Sequence, residues 1–186
     1  MQIELYENGG INMLSGKIIT LGITACSPAG QSITLIRELK KLGAQVHVVM
    51  TTNAVNFVTP LMVQREAGTP IQIEQFELPK AYDMNHQSLS LKSDLMLVAP
   101  VSANTLGKVA NGIADNLLTT NLLSTNAPII FATHINPTMY SKPSVQRNVK
   151  MLKEDGVIFV ENKDDKYPSL FPSIEAIIRR VEEVIS

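Results

Sequence analysis

Residues 100–120, PVSANTLGKVANGIADNLLTT, follow directly on the apolar run DLMLVA and place Ser102, Ala103, Asn104 and Thr105 just after Pro100 and Val101. A buried strand that runs through small hydroxyl and amide residues into a helix offers a capping oxygen, free backbone amides and room for a ligand beside the main chain. That combination suits a phosphate or another anion. Ser102 would look the same if it only capped the helix. GITACSPAG (22–30) and MTTNAVNF (50–57) follow two other apolar runs and are also small and hydroxyl-rich. Three strand ends can thus bring Gly22, Thr24, Ser27, Thr51 and Phe57 towards one crevice with the 102–105 segment. Neither GxGxxG nor a Walker sequence is present, which argues against a standard dinucleotide site or a nucleoside triphosphatase.

Two more stretches carry groups that could act on a substrate. NHQSLSLKSD (85–94) contains His86, whose imidazole would titrate near neutrality and could move a proton. THINPTMY (133–140) contains Asn136 and Met139, with His134 in the same loop given no role. The Asn136 amide can donate to a carboxylate without a counter-charge that would bind the ground state too strongly. Each has a plainer reading: His86 as a helix cap, Asn136 as a turn residue before Pro137. Cys26 is either a thiol activated by the helix start that follows it or simply a small residue. Asp115 and Asn116 could reach a ligand, and Asp115 reads equally well as the cap of the helix NLLTTNLL.

The elements that must position these groups alternate along the chain. Apolar strands are expected at 17–24, 45–51, 94–99, 127–133 and 157–160, with an alternating strand of one wet face at 71–76. Helices are expected from Pro28 to Gly43 on Ile33, Ile36, Leu39 and Leu42, at 59–68, across 102–124, at 144–156 and at the C-terminus. Apolar strands alternating with helices imply an α/β fold: a doubly wound, Rossmann-like, mainly parallel sheet of about six strands in a three-layer α/β/α sandwich. In such a sheet ligands bind beyond the carboxyl ends of the strands, where strand order reverses. Residues 1–16 read as an N-terminal extension, with Met13 an alternative start, and 17–186 as one domain.

With 186 residues, 45% hydrophobic content and a net charge of −1, the chain suits one globular unit and invites neither nucleic acid nor an anionic membrane. Its apolar runs are too short to span a bilayer, and no secretory signal is visible, which points to the cytoplasm. Cys26, the single cysteine, excludes an internal disulfide and any cysteine-rich metal site. No metal is expected.

APVSANTLGKVANGIADNLLTT, with NHQSLSLKSD before it and INPTMYSKPSVQRN after it, resembles the homo-oligomeric flavin-containing cysteine decarboxylases. That family includes phosphopantothenoylcysteine decarboxylases and the peptidyl-cysteine decarboxylases of lantibiotic biosynthesis, and the resemblance covers residues 17–160. It implies FMN held at the strand ends by Gly22, Thr24, Ser27, Thr51, Phe57 and Ser102, Ala103, Asn104 and Thr105. It also implies trimers, or larger assemblies of trimers up to a dodecamer, whose subunit boundaries help build each site. The chemistry it implies is oxidation of a cysteine thiolate to a thioaldehyde, an electron sink beta to the carboxylate that then loses carbon dioxide to leave an enethiol. His86 matches the family's active-site histidine in His-x-x-Leu, here HQSL. Asn136 and Met139 match the substrate-holding Pro-x-Met-Asn-x-x-Met-Trp, although Thr133, Ile135 and Tyr140 replace its Pro, Met and Trp.

Phosphopantothenoylcysteine decarboxylases carry a cysteine in a glycine-rich flap after the last strand, and ENKDDKYPSLFPS (161–173) has neither Cys nor Gly. A chain without it is expected to release an enethiol and pass its electrons to oxygen or another acceptor. The expected substrate is therefore a peptide ending in cysteine. The alternatives are phosphopantothenoylcysteine, in coenzyme A biosynthesis, a non-catalytic FMN-binding or regulatory flavoprotein, and a flavin prenyltransferase, whose basic prenyl-phosphate residues are not seen.

Overall fold

Alternation of side chains along the central strand decides how the chain is layered. The computed structural model describes residues 13–76, 85–164 and 166–185, with 85–88 as backbone only. Five strands, β1 (Ile18–Ile23), β2 (Gln45–Met50), β3 (Leu95–Val101), β4 (Ile129–Thr133) and β5 (Ile158–Val160), form one parallel sheet in the order β2-β1-β3-β4-β5. Every residue of β3 is buried. Leu95, Leu97 and Ala99 face one core, and Met96, Val98 and Val101 face the other. A strand dry on both sides must be covered on both sides.

Helices α1 (Ser32–Lys41), α2 (Pro60–Ala67) and α8 (Ile174–Ile185) cover the first face with Leu35, Ile36, Leu39, Val63, Ile177 and Val181. Helices α3 (Asn85–Lys92), α4 (Ala103–Ala110), α5 (Leu117–Ser124) and α7 (Pro143–Glu154) cover the second with Leu89, Leu106, Leu118, Leu122, Val149 and Leu152. A one-turn helix, α6 (Pro137–Tyr140), lies between β4 and α7. The doubly wound three-layer fold expected from the sequence is the one found. None of the helices among the described residues is long and apolar enough to cross a membrane.

Four expectations change. The stretch 71–76 is not a sixth strand: it meets the sheet edge only in a bridge between Val49 and Gln72, through Gln72 N–H to Val48 O and Met50 N–H to Gln72 O. Its alternation reflects Ile71 and Ile73 packing against the core, not a ladder. The helix expected from Pro28 begins as a 3-10 turn over Ser27–Gln31, and Ile33 and Leu42 are only partly buried. Pro100 does not end its strand, because β3 continues to Val101. Leu14, assigned to an extension, is fully buried in the core and donates its N–H to Leu42 O. Residues 1–12 lie outside the described residues.

Gly22 is a packing residue. It sits inside β1, and a Cβ there would stand 2.6 Å from Leu118 Cδ1 and 3.2 Å from Val98 Cγ2. The missing side chain is what lets α5 lie against the sheet. Gly22→Val should destabilise the fold by about 1–3 kcal/mol through overpacking, read as a fall in the urea midpoint with an unchanged slope.

Candidate functional site

The chain runs from β1 to β2 on one side and returns to β3 on the other, so strand order reverses between β1 and β3. There the strand ends are tied together by side-chain and backbone hydrogen bonds. Thr24, fully buried, donates its hydroxyl to Pro100 O at 2.9 Å and accepts from Ser102 N–H at 2.9 Å. Thr51 N–H donates to Ile23 O, and His134 N–H to Val101 O. The ends of β1, β2, β3 and β4 are thereby fixed relative to one another. A cavity of about 650 Å³ opens above them, within the range of roughly 300–1,000 Å³ usual for cofactor and ligand sites.

Of the residues singled out in the sequence, Ser27, Thr51, Phe57, Ser102, Ala103, Asn104, Thr105, Asn136 and Met139 all line this cavity. Ser102 caps α4, its Oγ accepting from Thr105 N–H at 3.3 Å. The first amides of α4 have no acceptor within the helix and open towards the cavity. Phe57 stands half exposed at its edge, a flat apolar face beside polar groups. Gly22 and Thr24 do not belong to the lining: Gly22 makes room for α5, and Thr24 spends its hydroxyl on the clamp between β1 and β3. Both position the site from beneath it. His86 falls in the first turn of α3, and its side chain lies outside the described residues.

The end of β4 supplies a further wall of the cavity. Asn136 caps α6, its Oδ1 accepting from Thr138 N–H at 2.9 Å. That bond fixes which end of the amide is which, and leaves the NH2 group to donate. The segment after β5 is docked here too: Ile135 N–H donates to Ser169 O at 2.9 Å, and Ser169 Oγ to Ile135 O at 2.8 Å. Leu170 then forms part of the wall.

Sequence reasoning gives no role to two lining residues, Lys108 and His134, and does not reveal the partner of Asp115. Lys108 meets both carboxylate oxygens of Asp115, at 2.9 and 2.7 Å, and this pairing holds the Asp115 carboxyl below its usual pKa. Asp115 is therefore not the cap of α5; Asn116 is, in a capping box with Thr119. The i and i+7 spacing of Lys108 and Asp115 crosses a helix end, so no single-helix pattern reveals it. His134 takes Phe171 N–H on Nδ1 at 3.2 Å and lies 3.0 Å from Ser27 Oγ through Nε2. Its partners are distant in sequence, and no local signal marks it.

Cys26 is buried, 3.6 Å from both Thr24 Oγ1 and His134 O, and desolvation pushes its thiol up from the usual value. Of the two readings of this residue, the plain one fits. The polar part of the lining consists of hydroxyls, amides, the His134 imidazole and one self-neutralised ion pair, beside the apolar Phe57, Met139 and Leu170, a set suited to a phosphate-bearing cofactor with a flat ring, such as FMN.

Two outcomes follow from this geometry. Thr24→Val keeps the shape and strands the Ser102 N–H, while Pro100 O keeps the backbone N–H of residue 24 at 3.3 Å, so stability should fall by about 1–3 kcal/mol, measurable by denaturant titration. Cys26, with little thiolate at pH 7, should react with a disulfide reagent fully only after unfolding; fast stoichiometric labelling of the native protein would contradict this placement.

Comparison with known proteins agrees with the geometry. The bifunctional coenzyme A biosynthesis protein CoaBC of Bacillus subtilis is 36% identical over 149 residues, which cover 80% of this chain and 37% of that protein. The chain thus spans under half the length of this relative. The crystal structure of SpaF, described as an FMN-dependent cysteine decarboxylase, matches with a TM-score of 0.81 and 29% identity over 92% of this chain and 96% of SpaF. The peptidyl-cysteine decarboxylase EpiD matches with a TM-score of 0.74 and 27% identity over 89% and 98%. The flavoprotein family model matches residues 11–186, and the chain belongs to the flavoprotein family.

Proposed function

We propose that this chain is an FMN-dependent lyase that oxidatively decarboxylates a cysteinyl carboxylate in the cytoplasm. One observation carries the reading: the cavity at the β1/β3 reversal brings the hydroxyl and amide lining of three strand ends together with Asn136, an amide with its NH2 left to donate. The structural relatives SpaF, an FMN-dependent cysteine decarboxylase, and EpiD, a peptidyl-cysteine decarboxylase, at 29% and 27% identity, support it. In this reading Ser102 and the first amides of α4, with Ser27 and Thr51, hold the phosphate and ribityl oxygens, and Phe57 packs on the ring. Bound FMN supplies a two-electron oxidant for the substrate thiolate.

The protein's own groups do the rest. Asn136 holds the substrate carboxylate by its NH2, so that the bond to carbon dioxide is placed for cleavage without a cation that would stabilise the carboxylate before loss. Met139 packs against the substrate. His86 handles the thiol proton, a role brought by the resemblance of HQSL to the family pattern. Leu170, anchored by the bonds of Ser169 to Ile135, walls the cavity and limits water.

The 36% identity to a coenzyme A biosynthesis protein favours phosphopantothenoylcysteine as substrate, ahead of the peptide terminus expected from the missing flap cysteine. A peptide ending in cysteine remains a second reading on one observation: residues 161–173 hold no cysteine to return electrons to an enethiol. Assembly into trimers fits the exposed Phe57, Leu61 and Met62, which a second copy would cover.

Purified protein should be yellow, release FMN, and remove carbon dioxide plus two hydrogens from phosphopantothenoylcysteine or a cysteine-terminated peptide, whichever is the substrate, as seen by mass spectrometry. Asn136→Asp and His86→Asn should each lower turnover by about two orders of magnitude or more while FMN stays bound. Unchanged turnover in both would sink the assigned roles, and a colourless protein that takes up no FMN would sink the reading itself.

A further inference from the structure

His134 is engaged at both ring nitrogens, and the two engagements are not independent. Nδ1 accepts the N–H of Phe171 at 3.2 Å, an amide that can only donate. In a neutral imidazole one nitrogen is the donor and the other the acceptor. With Nδ1 accepting, the ring proton sits on Nε2, which therefore donates to Ser27 Oγ at 3.0 Å. Burial lowers the pKa of His134, which favours that neutral form.

The consequence falls on Ser27, an exposed residue of the cavity lining. Its oxygen receives one proton from His134 and keeps its own O–H for a partner in the cavity. The opposite tautomer would take the Ser27 proton and turn the serine lone pairs towards the ligand, repelling an anion. We infer that His134 is a positioning residue that makes Ser27 a hydrogen-bond donor to an anionic oxygen, phosphate or carboxylate, of a ligand bound at the strand ends. The chain thereby links three distant segments, since Ser27 follows β1, His134 follows β4, and Phe171 belongs to the segment docked after β5. The inference rests on the flavoprotein reading of this cavity.

A double-mutant cycle on the full-length protein tests it. Dissociation constants for FMN and riboflavin are measured by flavin fluorescence, and KM for the cysteinyl substrate by product formation, in wild type, Ser27→Ala, His134→Leu and the double variant. Loss of one hydrogen bond to a charged group should weaken the affected step about tenfold in each single variant. The double variant should be no weaker than Ser27→Ala, the signature of one residue acting through the other. Weakened FMN binding with riboflavin unchanged identifies the phosphate; a raised KM with both flavins unchanged identifies the carboxylate.

His134→Gln, which keeps a donor near Nε2, should recover part of the loss. Nitrogen-15 spectra of the wild-type histidines, which need no variant, should show the Nε2–H tautomer for His134. Additive losses, variants that bind and turn over like wild type, or an Nδ1–H tautomer would each overturn the inference while leaving the flavin reading intact. Wild-type protein that takes up neither flavin would instead overturn the flavin reading, and this inference with it.

Discussion

A buried threonine hydroxyl joins the two strands between which the chain changes direction. Thr24 Oγ1 gives its proton to Pro100 O and takes one from Ser102 N–H, both at 2.9 Å, in a fully buried setting. Each bond has a modest net worth of about 1 kcal/mol, but leaving buried partners unmade costs more. The larger effect is geometric. The clamp sets where β1 stops and where α4 starts, and the open amides of α4 and the turn at Ser27 take their places from it. A doubly wound sheet leaves a crevice where its order reverses, and this hydroxyl ties together the two strand ends beneath it.

The cavity above the clamp is polar without being charged. Lys108 and Asp115 neutralise each other, and Cys26 is kept protonated by burial. An anion entering such a site meets oriented dipoles already paired on their far side: Ser102 through Thr105, Asn136 through Thr138. Preorganised dipoles need not rearrange when charge arrives or departs, which is what the proposed decarboxylation requires.

Much of this was legible in the residues because it is local. Strands apolar on both faces, helices with a core stripe, and Ser102 as a cap followed from spacing within a few residues. What failed was anything decided by a distant neighbour. Gly22 and Thr24 look like ligand contacts because small residues at a strand end serve a cofactor or a neighbouring element equally well, and only Leu118 and Pro100, 96 and 76 residues away, distinguish the two. The alternation of 71–76 imitates a strand because a segment lying along a sheet edge also buries every second side chain. His134 has partners 107 and 37 residues distant, so its role is unreadable along the chain.

The segment after β5 is closed on itself before it docks. Asn162 N–H reaches Pro168 O, Tyr167 N–H reaches Asp164 O, and only then does Ser169 bind the backbone of Ile135 from both sides. The anchor and the outward turn are thus separate pieces of chain. Because the entropy of closing a loop grows only with the logarithm of its length, residues could be inserted at 162–166 without moving Ser169 or Leu170. The fold therefore carries a natural splice point, at which descendants of one scaffold could gain or shed a cover over the cavity while the strand ends beneath it stayed as they are.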